Sequence, residues 1–242
     1  AKRGTVCIFC NSIDSIDSFY RLIPELSNAC TFCSEDGQYK LWKGNRRKKS
    51  MMITELERYN FFTSRFYSAV DIISPNPPHV IFISDLFGAT QSVIDPATEA
   101  IQIIGRFRGG VNSVTHIASI RPDLECMSST EIDDWIHGAS TVYNNWKFQL
   151  ARTSNIGERT LLQEAIGENS YLPYLDDKGK PDPFLIANFY EKEQVKRLYT
   201  STDLLCDASR QTDYFVFSHE ERLMPVSDLS LIHISEPTRL QL

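Results

Sequence analysis

Four cysteines near the start of the chain form two closely spaced pairs, Cys7 with Cys10 and Cys30 with Cys33. Nineteen residues separate the pairs, a spacing within the range of sites that hold zinc through four thiolates. The alternative is two buried strands in which cysteine acts as a small hydrophobic side chain. The residues between the cysteines are strand formers, and side chains three apart on a strand point to opposite faces. We therefore expect two strands here and no bound zinc.

The segment 102–110 reads Gln-Ile-Ile-Gly-Arg-Phe-Arg-Gly-Gly and carries two arginines, Arg106 and Arg108. An arginine is a planar cation with several donors, which suits the negative charge that builds on phosphoryl oxygens during transfer. Gly105 lets the backbone approach another surface closely. The alternative is the end of a surface helix with two solvated arginines.

Polar side chains also follow an apolar run near residue 60, where Thr63 and Ser64 are succeeded by Asp71. A short hydroxyl suits a phosphate oxygen, and a carboxylate suits the paired hydroxyls of a ribose. The alternative for Thr63 and Asp71 is that they cap the end of a strand.

A basic stretch over 42–50 reads Trp-Lys-Gly-Asn-Arg-Arg-Lys-Lys-Ser and is predicted to be a polar loop. Its cations are the local candidates for contact with phosphates: Lys43, Arg46, Arg47, Lys48 and Lys49. A solvated loop that balances an acidic protein is the other interpretation, and both remain open.

Strands and helices alternate over the first half of the chain. Short runs rich in β-forming apolar residues predict strands over 5–10, 29–33, 60–63, 78–85 and 114–120. Asn11 and Ser12 offer an N-cap to a helix that ends near Pro24, and Asp95-Pro96 predicts the start of another helix, which runs to Arg106. This alternation predicts an α/β fold, with a parallel sheet covered by helices on both faces.

The pattern changes after Pro122. An amphipathic helix is predicted over 129–152, followed by mixed helical segments and a turn or linker over 176–183. We therefore expect an α/β domain over 1–122 and a mostly helical C-terminal extension over 123–228.

Taken together, these segments resemble the second RecA-like lobe of superfamily two helicases of the DEAD/DEAH-like kind. Residues 102–108 resemble motif VI, Gln-x-x-Gly-Arg-x-x-Arg, although Arg108 comes one residue early and Gly109 takes the usual arginine position. Residues 63–72 resemble motif V, Thr-Ser-x-x-x-x-Gly-x-Asp-Ile, with Ala69 where glycine is usual. The first strand with the polar residues after it looks like motif IV, and the second cysteine pair resembles the next strand and its loop.

The resemblance implies two sets of binding residues. Arg106 and Arg108 would reach the γ-phosphate of ATP held on the other lobe, with Gln102, Gly105 and Asp71 on the ATP side. The residues that would contact the backbone of a DNA or RNA single strand follow the strand ends: Asn11, Ser12, Ser34, Thr63 and Ser64. ATP and Mg²⁺ would be bound mainly by an N-terminal RecA-like lobe of a longer chain.

The sequence contains neither a Gly-x-x-x-x-Gly-Lys-[Ser/Thr] phosphate loop nor an Asp-Glu metal-binding box. It starts at Ala1, almost directly on a strand, and looks like a fragment. We therefore expect that this chain alone does not hydrolyse ATP. Two other classes remain: a zinc-ribbon module that binds nucleic acid or protein, and a stand-alone α/β interaction domain.

The composition is that of a soluble globular protein, with 42% hydrophobic and 23% charged residues. A net charge of −6 excludes a global basic field, so any binding of nucleic acid needs a local patch. No apolar run approaches the ~20 residues of a membrane span, and six cysteines are too few for a disulfide scaffold, so we expect a cytoplasmic protein without membrane contact.

The extreme C-terminus differs in character from the rest of the chain. Residues 229–239 read Leu-Ser-Leu-Ile-His-Ile-Ser-Glu-Pro-Thr-Arg and resemble the translation of a transposase adapter used in sequencing libraries. We therefore expect 229–242 to be a non-native tail without a role in function.

Overall fold

The computed structural model describes residues 4–43, 49–50, 53, 55–68, 70–212 and 216–222. Within these residues six strands form one sheet in the order β3-β2-β4-β1-β5-β6, and every pair of neighbours is parallel. The strands are β1 (Val6–Cys10), β2 (Cys30–Phe32), β3 (Lys49–Ser50), β4 (Tyr59–Phe62), β5 (His79–Ser84) and β6 (Ser113–Ala118). The predicted tail over 229–242 lies outside the described residues.

Seven α-helices accompany the strands in the described part of the chain. They are α1 (Ile13–Leu22), α2 (Glu35–Lys43), α3 (Glu99–Gly105), α4 (Ser129–Arg152), α5 (Ile156–Gly167), α6 (Pro183–Leu198) and α7 (Thr202–Arg210). The first three lie between strands, and the last four follow the sheet. The predicted α/β class, with a parallel sheet followed by a mostly helical segment, is confirmed.

Strand β1 lies at the centre of the sheet, where Val6 is opposite both Tyr59 of β4 and His79 of β5. Because side chains alternate along a strand, its residues enter two separate hydrophobic cores. Phe9 packs on one face and stacks on Phe62 at 4.9 Å between ring centroids. Ile8 packs on the other face, under helix α1. The sheet is thus covered on both faces, as predicted.

Helix α1 begins where the sequence predicts. Ser12 has an extended backbone, and its hydroxyl accepts a hydrogen bond from the Ser15 N–H at 3.1 Å. This bond satisfies one of the N–H groups that the first helical turn leaves without a partner. Ile16 and Tyr20 form the buried face of the helix.

The prediction of a loop over 42–50 is wrong at both ends, because helix α2 extends to Lys43 and strand β3 begins at Lys49. The Ser34 hydroxyl accepts a hydrogen bond from the Gly37 N–H at 3.3 Å, so a helix starts directly after β2. Acidic residues in the first turn of α2 favour the helix further, because they complement the positive end of the helix dipole.

Helix α3 begins at Glu99, three residues later than the sequence predicts. The Asp95 carboxylate accepts hydrogen bonds from the Ala97 N–H at 2.9 Å and from the Thr98 hydroxyl at 2.6 Å. Asp95 therefore stabilises a turn before the helix and is not its N-cap.

The helical extension contacts the sheet through Tyr199, which follows α6 and is fully buried. Its hydroxyl donates to the Ile94 carbonyl at 2.6 Å and accepts from the Ile94 N–H at 2.9 Å. The same hydroxyl lies 3.1 Å from the Ser84 hydroxyl, and Ser84 in turn lies 3.0 Å from Nε2 of His116. Tyr199 thus joins the extension by hydrogen bonds to the end of β5 and to the loop after it, within a hydrophobic cluster that also contains Leu86 and Leu124.

Candidate functional site

A cleft of about 330 Å³ lies at the carboxyl edge of the sheet, where β1, β2 and β4 end. The five polar residues at strand ends that were predicted to contact a nucleic-acid backbone line it: Asn11, Ser12, Ser34, Thr63 and Ser64. They come from three separate segments of the chain, so it is the fold that brings them together.

The strand order explains why a cleft opens here. The connection from β1 passes over β4 to reach β2, whereas the connection from β4 passes over β1 to reach β5. The first connection packs on one face of the sheet through Ile16, and the second packs on the opposite face through Phe66. Neighbouring parallel strands whose connections diverge leave a crevice outside their carboxyl ends, where ligands of open α/β sheets bind.

Asn11 connects the two walls of this cleft. Its side-chain oxygen accepts a hydrogen bond from the Ser64 N–H at 3.3 Å, and its side-chain nitrogen donates to the Gln91 carbonyl at 3.3 Å. Asn11 therefore sets the spacing between the loops that follow β4 and β5, a positioning role that the sequence did not indicate.

Three of the predicted hydroxyls already have partners within the protein. Ser12 caps α1 and is buried, and Ser34 accepts from the first turn of α2. Thr63 is also buried, and its hydroxyl donates to the Phe32 carbonyl at 3.5 Å. Ser64 differs because its hydroxyl, exposed at the cleft, has no hydrogen-bond partner among the described residues. Of the four hydroxyl residues, Ser64 is the best placed to contact a ligand.

Two cations line the cleft that the sequence pattern did not single out, Lys40 and Arg65. Lys40 lies on α2, and Arg65 follows Ser64 in a short 3-10 helix. Both side chains are exposed. The helical pattern over 35–43 was the signal that could have placed Lys40, because a helix directly after β2 starts at the carboxyl edge of the sheet.

The N-termini of α1 and α2 also start at the cleft, since Ser12 and Ser34 line it. Backbone N–H groups at a helix N-terminus favour anions. Asp14, in the first turn of α1, adds a negative charge to the lining. A phosphate in this cleft would need the positive charges of Lys40 and Arg65 to outweigh that carboxylate.

The second predicted set lies at the other end of the segment 63–72. Arg108 forms an ion pair with Asp71 at 2.9 Å, and both side chains are about half exposed or more. The N–H of Ile72 donates to the Arg106 carbonyl at 2.9 Å, so the two segments run side by side. The structure pairs Asp71 with an arginine, an arrangement that the sequence did not indicate.

Arg106 is only partly exposed, and its Nε is buried without a hydrogen-bond partner among the described residues. A buried donor without a partner costs free energy and calls for an explanation. Gln102 and Gly105 are exposed beside it, on the last turns of α3. A Cβ added to Gly105 would meet no described atom within 4 Å, so the fold itself does not require glycine there.

The basic stretch can be placed only in part. Arg46, Arg47 and Lys48 lie outside the described residues. Lys49 belongs to β3, next to β2 in the sheet, and its side chain is also outside the described set. Their predicted contact with phosphates stays a prediction.

The four paired cysteines lie on opposite faces of the sheet, as the strand prediction requires. Cys7 and Cys30 belong to one hydrophobic core, and Cys10 and Cys33 belong to the other. Burial raises the pKa of the Cys7 thiol to about 12 and that of Cys10 to about 11. Zinc binding needs four thiolates that converge on one ion, so this arrangement disfavours the zinc-ribbon alternative.

No group of three or more His, Cys, Asp or Glu side chains is arranged to hold a metal ion within the described ranges. No helix in that same part of the chain combines the length and the apolar character that crossing a membrane requires. Comparisons with protein-family models, with curated proteins and with solved structures found no match to the chain.

Proposed function

We propose that this chain is the C-terminal motor lobe of an ATP-dependent nucleic-acid helicase or translocase. One observation carries the proposal. The segment 63–72 has Thr63 and Ser64 in the lining of the cleft, and at its other end Asp71 forms an ion pair with Arg108. A continuous stretch of ten residues would therefore link a strand-binding cleft to a phosphate-binding arginine pair. Such a link is what a motor needs if nucleotide state is to change its grip on a strand.

The arginine pair fits a nucleotide presented by another lobe. ATP with Mg²⁺, bound mainly on an N-terminal RecA-like lobe, supplies the phosphoryl group whose charge must be stabilised. Arg106 has a buried Nε without a described partner, and a phosphate oxygen is an acceptor that suits a guanidinium. Arg108 is held by Asp71 until a stronger anion competes for it. The exposed Gly105 leaves room for a close approach by the opposite lobe.

The cleft would hold the backbone of a DNA or RNA single strand. Ser64 and the neighbouring N–H groups donate to phosphate oxygens, while Lys40 and Arg65 supply the positive charge. Asn11 keeps the two walls at a fixed spacing. The six free thiols among the described residues favour a reducing compartment, so we place the protein in the cytoplasm.

Strand binding by this chain tests the proposal directly. Fluorescence anisotropy with labelled oligothymidylate and oligouridylate should show binding by the wild-type chain that weakens as salt increases. The double variant Lys40→Gln/Arg65→Gln should bind more weakly, and its salt slope should fall by roughly 0.7 for each phosphate that the protein no longer neutralises.

The matched control removes two exposed cations from α4, in the variant Lys147→Gln/Arg152→Gln. It has the same change in net charge but lies in the helical extension, so its affinity and salt slope should stay near those of the wild type. Equal weakening by both variants would mean that only net charge matters. Absence of binding to either oligonucleotide would remove the motor proposal and leave the stand-alone interaction domain.

A further inference from the structure

Phe87 is a large apolar side chain that the proposed function does not use. It follows β5 at the carboxyl edge of the sheet, and 55% of its surface is exposed. Most phenylalanines in the strands of this chain are fully buried. The Phe87 ring differs because part of its surface is in contact with solvent and is free to pack against a ligand.

The loop that carries Phe87 is fixed by Asp85. One carboxylate oxygen of Asp85 accepts hydrogen bonds from the N–H groups of Phe87 and Gly88, both at 3.1 Å. The Asp85 N–H donates to the Ser92 hydroxyl at 2.7 Å, which closes the loop at its far end. A Cβ at Gly88 would lie 2.6 Å from the Asp85 carboxylate, so a larger residue there would displace the side chain that holds the turn. The ring of Phe87 is therefore presented by a tightly bonded turn.

A cation lies against the same ring. The guanidinium of Arg121 is 5.9 Å from the centroid of Phe87. Arg121 is itself held by the Asp123 carboxylate at 3.2 Å and by the Leu86 carbonyl at 3.5 Å. A cation over one face of an aromatic ring is attracted by its π electrons and holds the ring in place. The ring thus combines exposure with a defined orientation, which is what a stacking surface needs.

The position of the loop relates Phe87 to the cleft. Gln91, in the same loop, lines the cleft, and its carbonyl accepts from Asn11. Strand β1 separates β5 from β4, so the ends of these two strands are about 10 Å apart at ordinary strand spacing. The loop that carries Phe87 therefore also contributes Gln91 to the wall of the cleft.

We propose that Phe87 is a stacking platform for one nucleobase of the strand bound in the cleft. The inference rests on the proposed function, and it adds a contact to bases where the cleft offers contacts to phosphates. Stacking on an aromatic ring tolerates any base, because every base has a π face. The platform would increase affinity for single strands without selecting a sequence.

The test compares strands with and without bases. Whichever oligonucleotide binds more tightly in the anisotropy assay is compared with an abasic strand of equal length. Phe87→Ala should lower the affinity for the base-containing strand roughly 5- to 100-fold and leave that for the abasic strand unchanged. Phe87→Trp should bind the base-containing strand about as tightly as the wild type does, since it keeps an aromatic face. Unchanged circular dichroism and thermal unfolding of each variant establish that the fold is intact.

The extension offers a matched control in Phe148 on α4. This ring is 59% exposed and has the guanidinium of Arg152 at 4.9 Å, so its chemistry matches that of Phe87 at a distant site. Phe148→Ala should not change the affinity for either strand. If Phe87→Ala also leaves affinity unchanged while Lys40→Gln/Arg65→Gln weakens it, the platform is wrong and the motor proposal stands. If the wild type binds no strand at all, both are wrong.

Discussion

At the scale of single residues, His116 makes stability depend on pH. Burial lowers the pKa of its imidazole from 6.5 to about 4. The unfolded chain takes up a proton as pH falls through 6.5, whereas the folded chain keeps His116 neutral until about pH 4. Stability contributed by the neutral ring is therefore complete above pH 6.5 and is lost as pH falls towards 4.

We expect a decrease on the order of 2 kcal/mol over that interval, because the residue is only partly buried. Denaturant unfolding across the pH range measures it, with His116→Gln as the comparison. The variant keeps a polar partner for Ser84 but cannot titrate, so the difference between the two proteins should shrink as pH falls. A difference that is constant with pH would contradict the burial of a neutral imidazole.

The residues of the site divide by how locally they are determined. Thr63, Ser64 and Asn11 follow directly after apolar strands, and the resemblance to helicase motifs IV and V was the basis for predicting them. Lys40 was missed because the cap that starts α2 was interpreted as a loop. Gln91 was missed for a different reason: its place in the cleft depends on a hydrogen bond to Asn11, 80 residues away. No local pattern carries such a contact.

At the scale of elements, most boundaries follow from periodicity and caps, and the exceptions have identifiable causes. Helix α4 starts at Ser129 as predicted, because Ser128 and Glu131 form a capping box. Helix α3 is shorter than predicted, because Asp95 bonds to a turn in front of it. A proline or aspartate signal marks that a turn begins, but it does not say whether a helix follows at once.

Helix α3 also supplies a test, because its glycine has an unusual setting. Gly105 lies within the helix and has open space at the Cβ position, so Gly105→Ala should raise the free energy of unfolding by about 0.5–1 kcal/mol. Gly88→Ala is the control of opposite sign, since its Cβ would clash with Asp85. Thermal or denaturant unfolding of both variants checks the pair, and destabilisation by Gly105→Ala would show that the fold does need glycine there.

At the scale of the whole molecule, Tyr199 of the helical extension is hydrogen-bonded to residues of the α/β part. The predicted boundary near residue 122 stays a prediction, but the hydroxyl of Tyr199 is bonded to Ile94 on the sheet side of it. The extension therefore contributes a buried polar contact to the α/β part.

Tyr199→Phe should lower stability by about 1–3 kcal/mol, because the N–H and the carbonyl of Ile94 would both lose their buried hydrogen-bond partner. Tyr190→Phe is the control. Tyr190 lies on α6, and the hydrogen bond that its hydroxyl donates to Asp133 of α4 is exposed to solvent. Urea unfolding followed by tryptophan fluorescence and by circular dichroism should give coincident transitions for the wild type. Separate transitions would mean that the two parts unfold independently.

The strand order has a consequence for how the chain is made. Strand β4 lies between β2 and β1 in the sheet, although both precede it in the sequence. Val6 of β1 therefore cannot pair with Tyr59 until β4 has been synthesised. Until residue 62 has been made, strands β1 and β2, which carry Cys7, Cys10 and Cys30, lack the strand that lies between them in the sheet. Pairings between distant segments form slowly, and thiols left outside a core can oxidise in that interval. Refolding yield that rises with added reductant is the consequence for anyone who produces this protein.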